Sequence, residues 1–241
     1  MAYDQTFYSS QSDSSYLSAS VIVPKIIELF QVTSVVDVGC GVGTWLRAFE
    51  EHAITDVYGI DGDYVNIHQL QISQGKFLAH DLVKPIRLDR KFDCCLSLEV
   101  AEHLPSQSAT EFVASLTTLS DVVVFSAAIP NQGGVCHINE QWQSHWIELF
   151  HECGYEPYCD IRTLFWNDKR ISDWYRQNLF VFVNTDKYKS ISYVAMANVV
   201  HPDTFERVLK QSESNLPNVP VAFRSFVASV GRSLNHRLGR Q

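Results

Sequence analysis

Ser34-Val35-Val36-Asp37-Val38-Gly39-Cys40-Gly41-Val42-Gly43-Thr44-Trp45-Leu46 decides the fold class of this chain. Val35, Val36 and Val38 make a β-branched apolar run, the composition of a strand covered on both faces of a parallel sheet. Three glycines at alternate positions follow, and residues 45–49 read as a helix. Strand, glycine loop and helix form a nucleotide cradle, because glycine lets the backbone approach a ligand closely and a helix start presents free N–H groups. The dinucleotide fingerprint G-x-G-x-x-G has its third glycine where this chain has Thr44. The spacing here is G-x-G-x-G, with Asp37 two residues ahead of the first glycine. A carboxylate at that point opposes a pyrophosphate and suits a ligand bearing an ammonium group.

Working downstream, residues 56–61 read as a second strand ending in Asp61, with Gly62 allowing a tight turn. An acid at this place bonds a ribose hydroxyl pair, and its structural alternative is a helix N-cap. Residues 75–82 read as a third strand ending in His80-Asp81, with His80 a loop or packing residue. Residues 92–105 hold an apolar strand that stops at Ser97-Leu98 and runs into a polar turn with Glu99, Glu102 and His103. In an open parallel sheet the ligand lies beyond the strand ends where the strand order switches, so this turn is expected to line the same pocket as the glycine loop.

Asp37 with its G-x-G-x-G loop, followed by Glu99-Val100-Ala101-Glu102-His103-Leu104, resembles the class I S-adenosylmethionine-dependent methyltransferases of the small-molecule type. The motif-level likeness spans residues 33–104, and a looser pattern of strands and helices extends to about 184. The resemblance implies a Rossmann-like, doubly wound α/β fold with a seven-stranded, mostly parallel sheet whose last strand is antiparallel. It also implies S-adenosyl-L-methionine as cofactor and S-adenosyl-L-homocysteine as product. Asp37, Gly39, Cys40, Gly41, Gly43, Asp61, Gly62, Asp81, Leu82, Leu98 and Glu99 take the cofactor-binding positions, with Asp81 on the adenine amino group and Leu82 on the ring. The turn at 99–104 differs from the Asn-Pro-Pro-Tyr motif of enzymes that methylate nucleobase or glutamine amino groups. Two other readings stay open: a nicotinamide-dependent oxidoreductase on a similar sheet, and a non-catalytic module that keeps the cofactor pocket.

The acceptor side is read from residues 127–177. Val122-Val123-Val124-Phe125-Ser126 is a fifth strand, and a loop with Pro130, Gly133 and Gly134 carries His137 and Glu140. A methyl acceptor that is an alcohol or phenol must lose a proton, and an imidazole titrates near pH 6.5. His137 is therefore the expected general base for O-methylation, with Glu140 orienting its ring and His103 shaping the acceptor pocket. A metal held by His137, Glu140 and His145 matches no defensible spacing, and none is expected. Arg170 and Arg176 lie where the resembled fold builds its acceptor lid and are expected to bind an acidic acceptor, the alternative being ion pairs with Asp168 or Asp173.

Length and composition set the frame. The 241 residues suit one α/β domain with a large core, and 46% apolar and 19% charged residues are ordinary globular values. A formal charge of −8 argues against a general nucleic-acid binder. No apolar run approaches the roughly 20 residues of a membrane span, and the first residues lack a positive n-region and an apolar core, so neither a span nor a secretory signal is expected. Six cysteines without a C-x-x-C pair suit reduced thiols in a cytoplasm, with Cys94 and Cys95 as small core residues on opposite faces.

Residues 1–17 read as a loose N-terminal arm, 18–200 as the methyltransferase domain with a helix from about Ser20, and 201–241 as a linker plus a basic amphipathic helix. Pro24 fits that first helix only in its first turn. Ser108 with Glu111 suggests a capping box, Trp142 and Trp146 a buried stripe, and residues 158–162 a sixth strand. The C-terminal helix suits its own domain, a second copy of the chain or an anionic membrane surface, the last being the weakest reading.

Overall fold

The computed structural model describes residues 5–158, 161–188 and 197–215. Seven strands make one sheet: β1 (Ser34–Val38), β2 (Asp56–Asp61), β3 (Phe77–Ala79), β4 (Cys94–Leu98), β5 (Val122–Ser126), β6 (Tyr155–Pro157) and β7 (Phe180–Asn184). Their order is β3-β2-β1-β4-β5-β7-β6. β1 pairs in parallel with β2 and β4, β2 with β3, and β4 with β5. β7 runs antiparallel to both β5 and β6, so it alone is reversed. This is the doubly wound sheet expected from the motifs. β1, β4 and β5 are buried at every position, which is why they read as unbroken apolar runs and not as alternating ones.

The helices are α1 (Gln5–Phe30), α2 (Thr44–Glu51), α3 (Ala109–Leu119), α4 (Gln143–Glu152), α5 (Ile161–Phe165), α6 (Asp173–Asn178) and α7 (Pro202–Asn215). Two compact units divide after Thr204; the first holds the whole sheet, and the second begins within α7. On one face of the sheet, Val35, Cys94 and Val124 pack with Ile22 and Ile26 of α1 and Leu46 and Phe49 of α2. On the other, Val36, Cys95 and Phe125 pack with Phe112 and Leu116 of α3 and Trp146 and Phe150 of α4. The adjacent thiols of Cys94 and Cys95 thus sit in opposite layers, as the two-residue period of a strand requires.

Several local expectations are corrected. The first helix begins at Gln5 and not near Ser20, so residues 5–17 are helical and Pro24 lies inside the helix. Proline there removes one intrahelical donor, and burial of Ala19, Ile22, Val23 and Ile26 offsets that loss. The sixth strand is Tyr155–Pro157, and residues 161–165 turn into α5. Ser108 gives α3 no side-chain cap, because a preceding 3-10 turn already holds it in helical geometry and its hydroxyl donates to the Pro105 carbonyl at 2.8 Å. Trp146 is core, but Trp142 precedes α4 and is exposed. The basic helix expected over 221–241, and the linker residues from 216 onward, lie outside the described residues.

Candidate active site

The cradle is built where β1 and β4 part. Gly39 leaves β1 at φ +85°, and a Cβ there would sit 2.2 Å from Cγ2 of Val100. Only glycine satisfies both the left-handed backbone and this close approach, which seats the β1 loop against the turn after β4. The amides of Gly39 and Cys40 donate to the Ile60 carbonyl at 2.7 and 3.3 Å, tying the same loop to β2.

Asp61 is the second tie. It is buried, its Oδ2 accepts from the Gly41 amide at 2.7 Å, and its Oδ1 accepts from the Gly62 amide at 2.7 Å and the Tyr64 hydroxyl at 2.5 Å. The carboxylate therefore serves loop amides and a phenol, and does not cap a helix. Asp37, inside β1, is 3% exposed, and burial, reinforced by the charge of Asp61, pushes its carboxyl up to about 8. A cation brought beside it would restore the charge. Leu98 ends β4 and, like Cys40 and Leu82, is buried. Asp81 is exposed, accepts from the Val83 amide at 3.2 Å and pairs with Lys84 at 3.3 Å. The Val83 amide first, and Lys84 second, hold its carboxyl below the usual range.

Across the notch stands the turn after β4. Glu99 takes a left-handed φ of 56° and its amide donates to the Ser126 carbonyl at 2.9 Å. Its carboxylate accepts from Gln132 Nε2 at 3.1 Å and Asn178 Nδ2 at 3.3 Å. Gln132 Oε1 in turn accepts from Gln177 and Asn178 at 3.1 and 2.9 Å. This amide cluster joins the turn, the loop after β5 and α6. Nothing in the local sequence pattern marked it, since its members lie on three distant segments. Burial raises the Glu99 carboxyl, and bonds from Ser126, Asn178 and Gln132 oppose the rise. Glu102 is fully buried, and burial, with the charge of Glu99, holds its carboxyl well above the usual range.

His137 and Glu140 come together as expected, with Nδ1 of His137 2.9 Å from Oε1 of Glu140. The Glu140 carboxylate also accepts from the amides of Asn131 at 2.7 Å and Gly133 at 3.2 Å, so it holds the loop as well as the ring. The loop is pinned to the β4 turn because the Glu102 carbonyl accepts from the amides of Ile138 and Asn139 at 2.9 and 3.0 Å. The rings of His103 and His137 meet edge to face with centroids 4.8 Å apart. His103 titrates below its usual range, mainly through burial and then through His137, while Asp61 acts in the opposite direction. The acid–histidine turn thus borders the cradle.

Both arginines are engaged within the chain. Arg176 is not available to an acceptor: it is 4% exposed and donates to the carbonyls of Ile171 at 2.9 Å and Trp166 at 3.2 Å and to Asp203 at 2.7 Å. Arg170 folds onto Asp168, whose Oδ2 is 2.5 Å away, in an exposed pair. His145 stacks on Trp146, and the histidine that joins His137 is His103. Tyr64, which touches the cradle, carried no motif signal, and Val100 lay inside the turn motif without an assigned role.

A family model described as a methyltransferase domain matches residues 17–156. The fold is shared with DesVI of Streptomyces venezuelae (17% identity, TM-score 0.56, 76% of this chain and 99% of that one). It is shared with CalS10 of Micromonospora echinaspora, an amino pentose methyltransferase solved with SAM (16%, 0.56, 77% and 99%). It is shared too with magnesium protoporphyrin IX methyltransferase from Synechocystis PCC 6803, solved with bound SAM (18%, 0.52, 76% and 86%). No curated protein sequence matches the chain significantly.

Proposed function

The chain belongs to the methyltransferase-domain family, and on that premise we propose that it transfers a methyl group from S-adenosyl-L-methionine to an oxygen of a small-molecule acceptor. The observation that carries the reading is the β1–β4 notch, where a glycine that tolerates no Cβ lies beside two buried acids, Asp37 and Asp61. The fit is chemical: the buried Asp37 carboxyl suits an ammonium, and Asp61 at the end of β2 suits a ribose. When bound, the cofactor supplies a methyl group on a positive sulfur.

Asp37 would then hold the amino-acid end, Asp61 the ribose, and Asp81 and Leu82 the adenine, with Gly39, Cys40, Gly41 and Gly43 as the loop beneath. The paths along Leu98 and Glu99 form the wall toward the acceptor. Positioning alone supplies much of such a rate, since effective molarities reach about 10⁵–10⁸ M for well-oriented pairs. His137, held at Nδ1 by Glu140, keeps Nε2 available to take the acceptor's proton. The amino pentose and magnesium protoporphyrin methyltransferases that share the fold support a small acceptor for this chain too. With Arg176 engaged internally, that residue gives no argument for an acidic one.

Calorimetric titration of the full chain with S-adenosylmethionine tests the reading. One equivalent taken up, with no response to a nicotinamide dinucleotide, supports it; absence of uptake of both the cofactor and its demethylated product overturns it. Incubation with methyl-labelled cofactor and pools of hydroxylated metabolites then separates an enzyme from a module that only binds.

A further inference from the structure

Glu102 presents a buried carboxylate whose two oxygens accept no hydrogen bond. An acid in that state calls for a cation or a proton. Its own backbone carbonyl carries the 137–140 loop across it, through the Ile138 and Asn139 amides. That latch brings His137 beside Glu102 and His103, so that one ligand atom from each of the three lies within 4.8 Å of the others. Nδ1 of His137 is taken by Glu140, which fixes the tautomer and leaves Nε2 as the donor. Glu99, nearby, is not part of the set, because Gln132 and Asn178 already engage its oxygens. Gly134 lies against this ring, where a Cβ would sit 2.1 Å from Nε2.

We infer that Glu102, His103 and His137 form a binding site for one divalent first-row transition-metal ion. Two imidazoles and one carboxylate are a donor set that Zn²⁺, and the neighbouring ions that accept nitrogen and oxygen ligands, take with coordination positions left open. Donor atoms around such an ion, at about 2.1 Å, lie about 3–3.5 Å from one another. An ion would therefore draw the three donors together from separations within 4.8 Å. The carboxylate–histidine pair of Glu140 and His137 is the outer support such a site needs. The inference rests on the proposed function only in placing the ion beside the acceptor. There it changes the part played by His137, since a nitrogen on the metal cannot also receive a proton.

The test uses full-length protein treated with a chelator and then titrated with Zn²⁺ and, separately, with Co²⁺ for its absorption bands. The expected result is one equivalent per chain. His103→Ala and His137→Ala should each abolish the Co²⁺ bands, and Glu140→Ala should weaken Zn²⁺ binding by about 10–100-fold. Glu102→Gln should behave as the histidine variants do, and His151→Ala, on the exposed end of α4, should behave as wild type. No stoichiometric uptake, or uptake indifferent to all three ligand substitutions, overturns the site. The same chelated preparation is titrated with S-adenosylmethionine. Cofactor uptake without metal uptake removes this inference and leaves the methyltransferase reading. Metal uptake without cofactor uptake does the reverse.

Discussion

The hydroxyl of Tyr64 donates to Oδ1 of Asp61 across 2.5 Å, on the carboxylate that the cradle reading assigns to a ribose. Oδ1 already accepts from the Gly62 amide, so the phenol occupies the lone pair a sugar hydroxyl needs. Tyr64 is itself exposed. Tyr64→Phe is therefore expected to tighten cofactor binding by about fivefold, the equivalent of about 1 kcal/mol for one competing hydrogen bond. Asp61→Asn is expected to weaken it by about tenfold or more. Calorimetric Kd values for the two variants check the pair, and equal affinities in both would remove Asp61 from the site.

Asp37 couples binding to protons. Its carboxyl, pushed up to about 8 by burial and then by Asp61, holds its proton at neutral pH. An ammonium beside it favours the carboxylate, so cofactor uptake at pH 7 should release close to one proton. Titrations in buffers of different ionisation enthalpy read that number directly, and Asp37→Asn should bring it to near zero. The same shift has a consequence without ligand. The folded form keeps the proton between pH 3.8 and about 8 while the unfolded form has lost it, so this group makes stability fall as pH rises through that window. The slope is at most about 1.4 kcal/mol per pH unit. Urea midpoints across the window, wild type against Asp37→Asn, isolate it.

His137 and Glu140 separate chemistry from binding. His137→Ala is expected to lower kcat by about 10²–10⁴-fold and leave the cofactor Kd within experimental error. Glu140→Ala, which frees the ring at Nδ1 and releases the Asn131 and Gly133 amides, should cost kcat less. Undiminished turnover in His137→Ala would show that the acceptor needs no group at this place.

The two arginines give opposite outcomes. Arg176→Met leaves the Ile171 carbonyl without its side-chain donor and takes one donor each from Asp203 and the Trp166 carbonyl, which keep Lys169 and His201, at a cost of about 2 kcal/mol. Its folded fraction should keep the acceptor KM. Arg170→Ala removes only an exposed pair with Asp168 and should leave the melting temperature unchanged. Thermal melts with steady-state kinetics distinguish these outcomes from a substrate-binding role for either residue.

Legibility followed the range over which each feature is encoded. The sheet was readable because β1, β4 and β5 announce their double burial residue by residue. The glycine loop was readable because Gly39 and its neighbours are needed by the backbone itself. The His137–Glu140 pair, three residues apart, was also within reach of the sequence. Arg176 was misread for a different reason. A cation on a polar segment looks exposed until the chain is known to turn that face of α6 inward, with Asp203 arriving from 27 residues away. The start of α1 was misread because a run of serines and glutamine has no apolar period to betray a helix.

The sequence by itself determined the strand–glycine–helix cradle, the acids Asp37 and Asp61 at its strands, and so the class of nucleotide ligand to look for. Only the tertiary structure decided that the two carboxyl oxygens of Glu102 accept no hydrogen bond while ligand atoms of His103 and His137 lie within 4.8 Å, and that Tyr64 lies on Asp61. The first kind of information is local, set by backbone dihedrals and burial period within a few residues. The second depends on strand order, which brings the turn after β4 and the loop after β5 to the same edge of the sheet, and no short-range pattern records where two such loops meet.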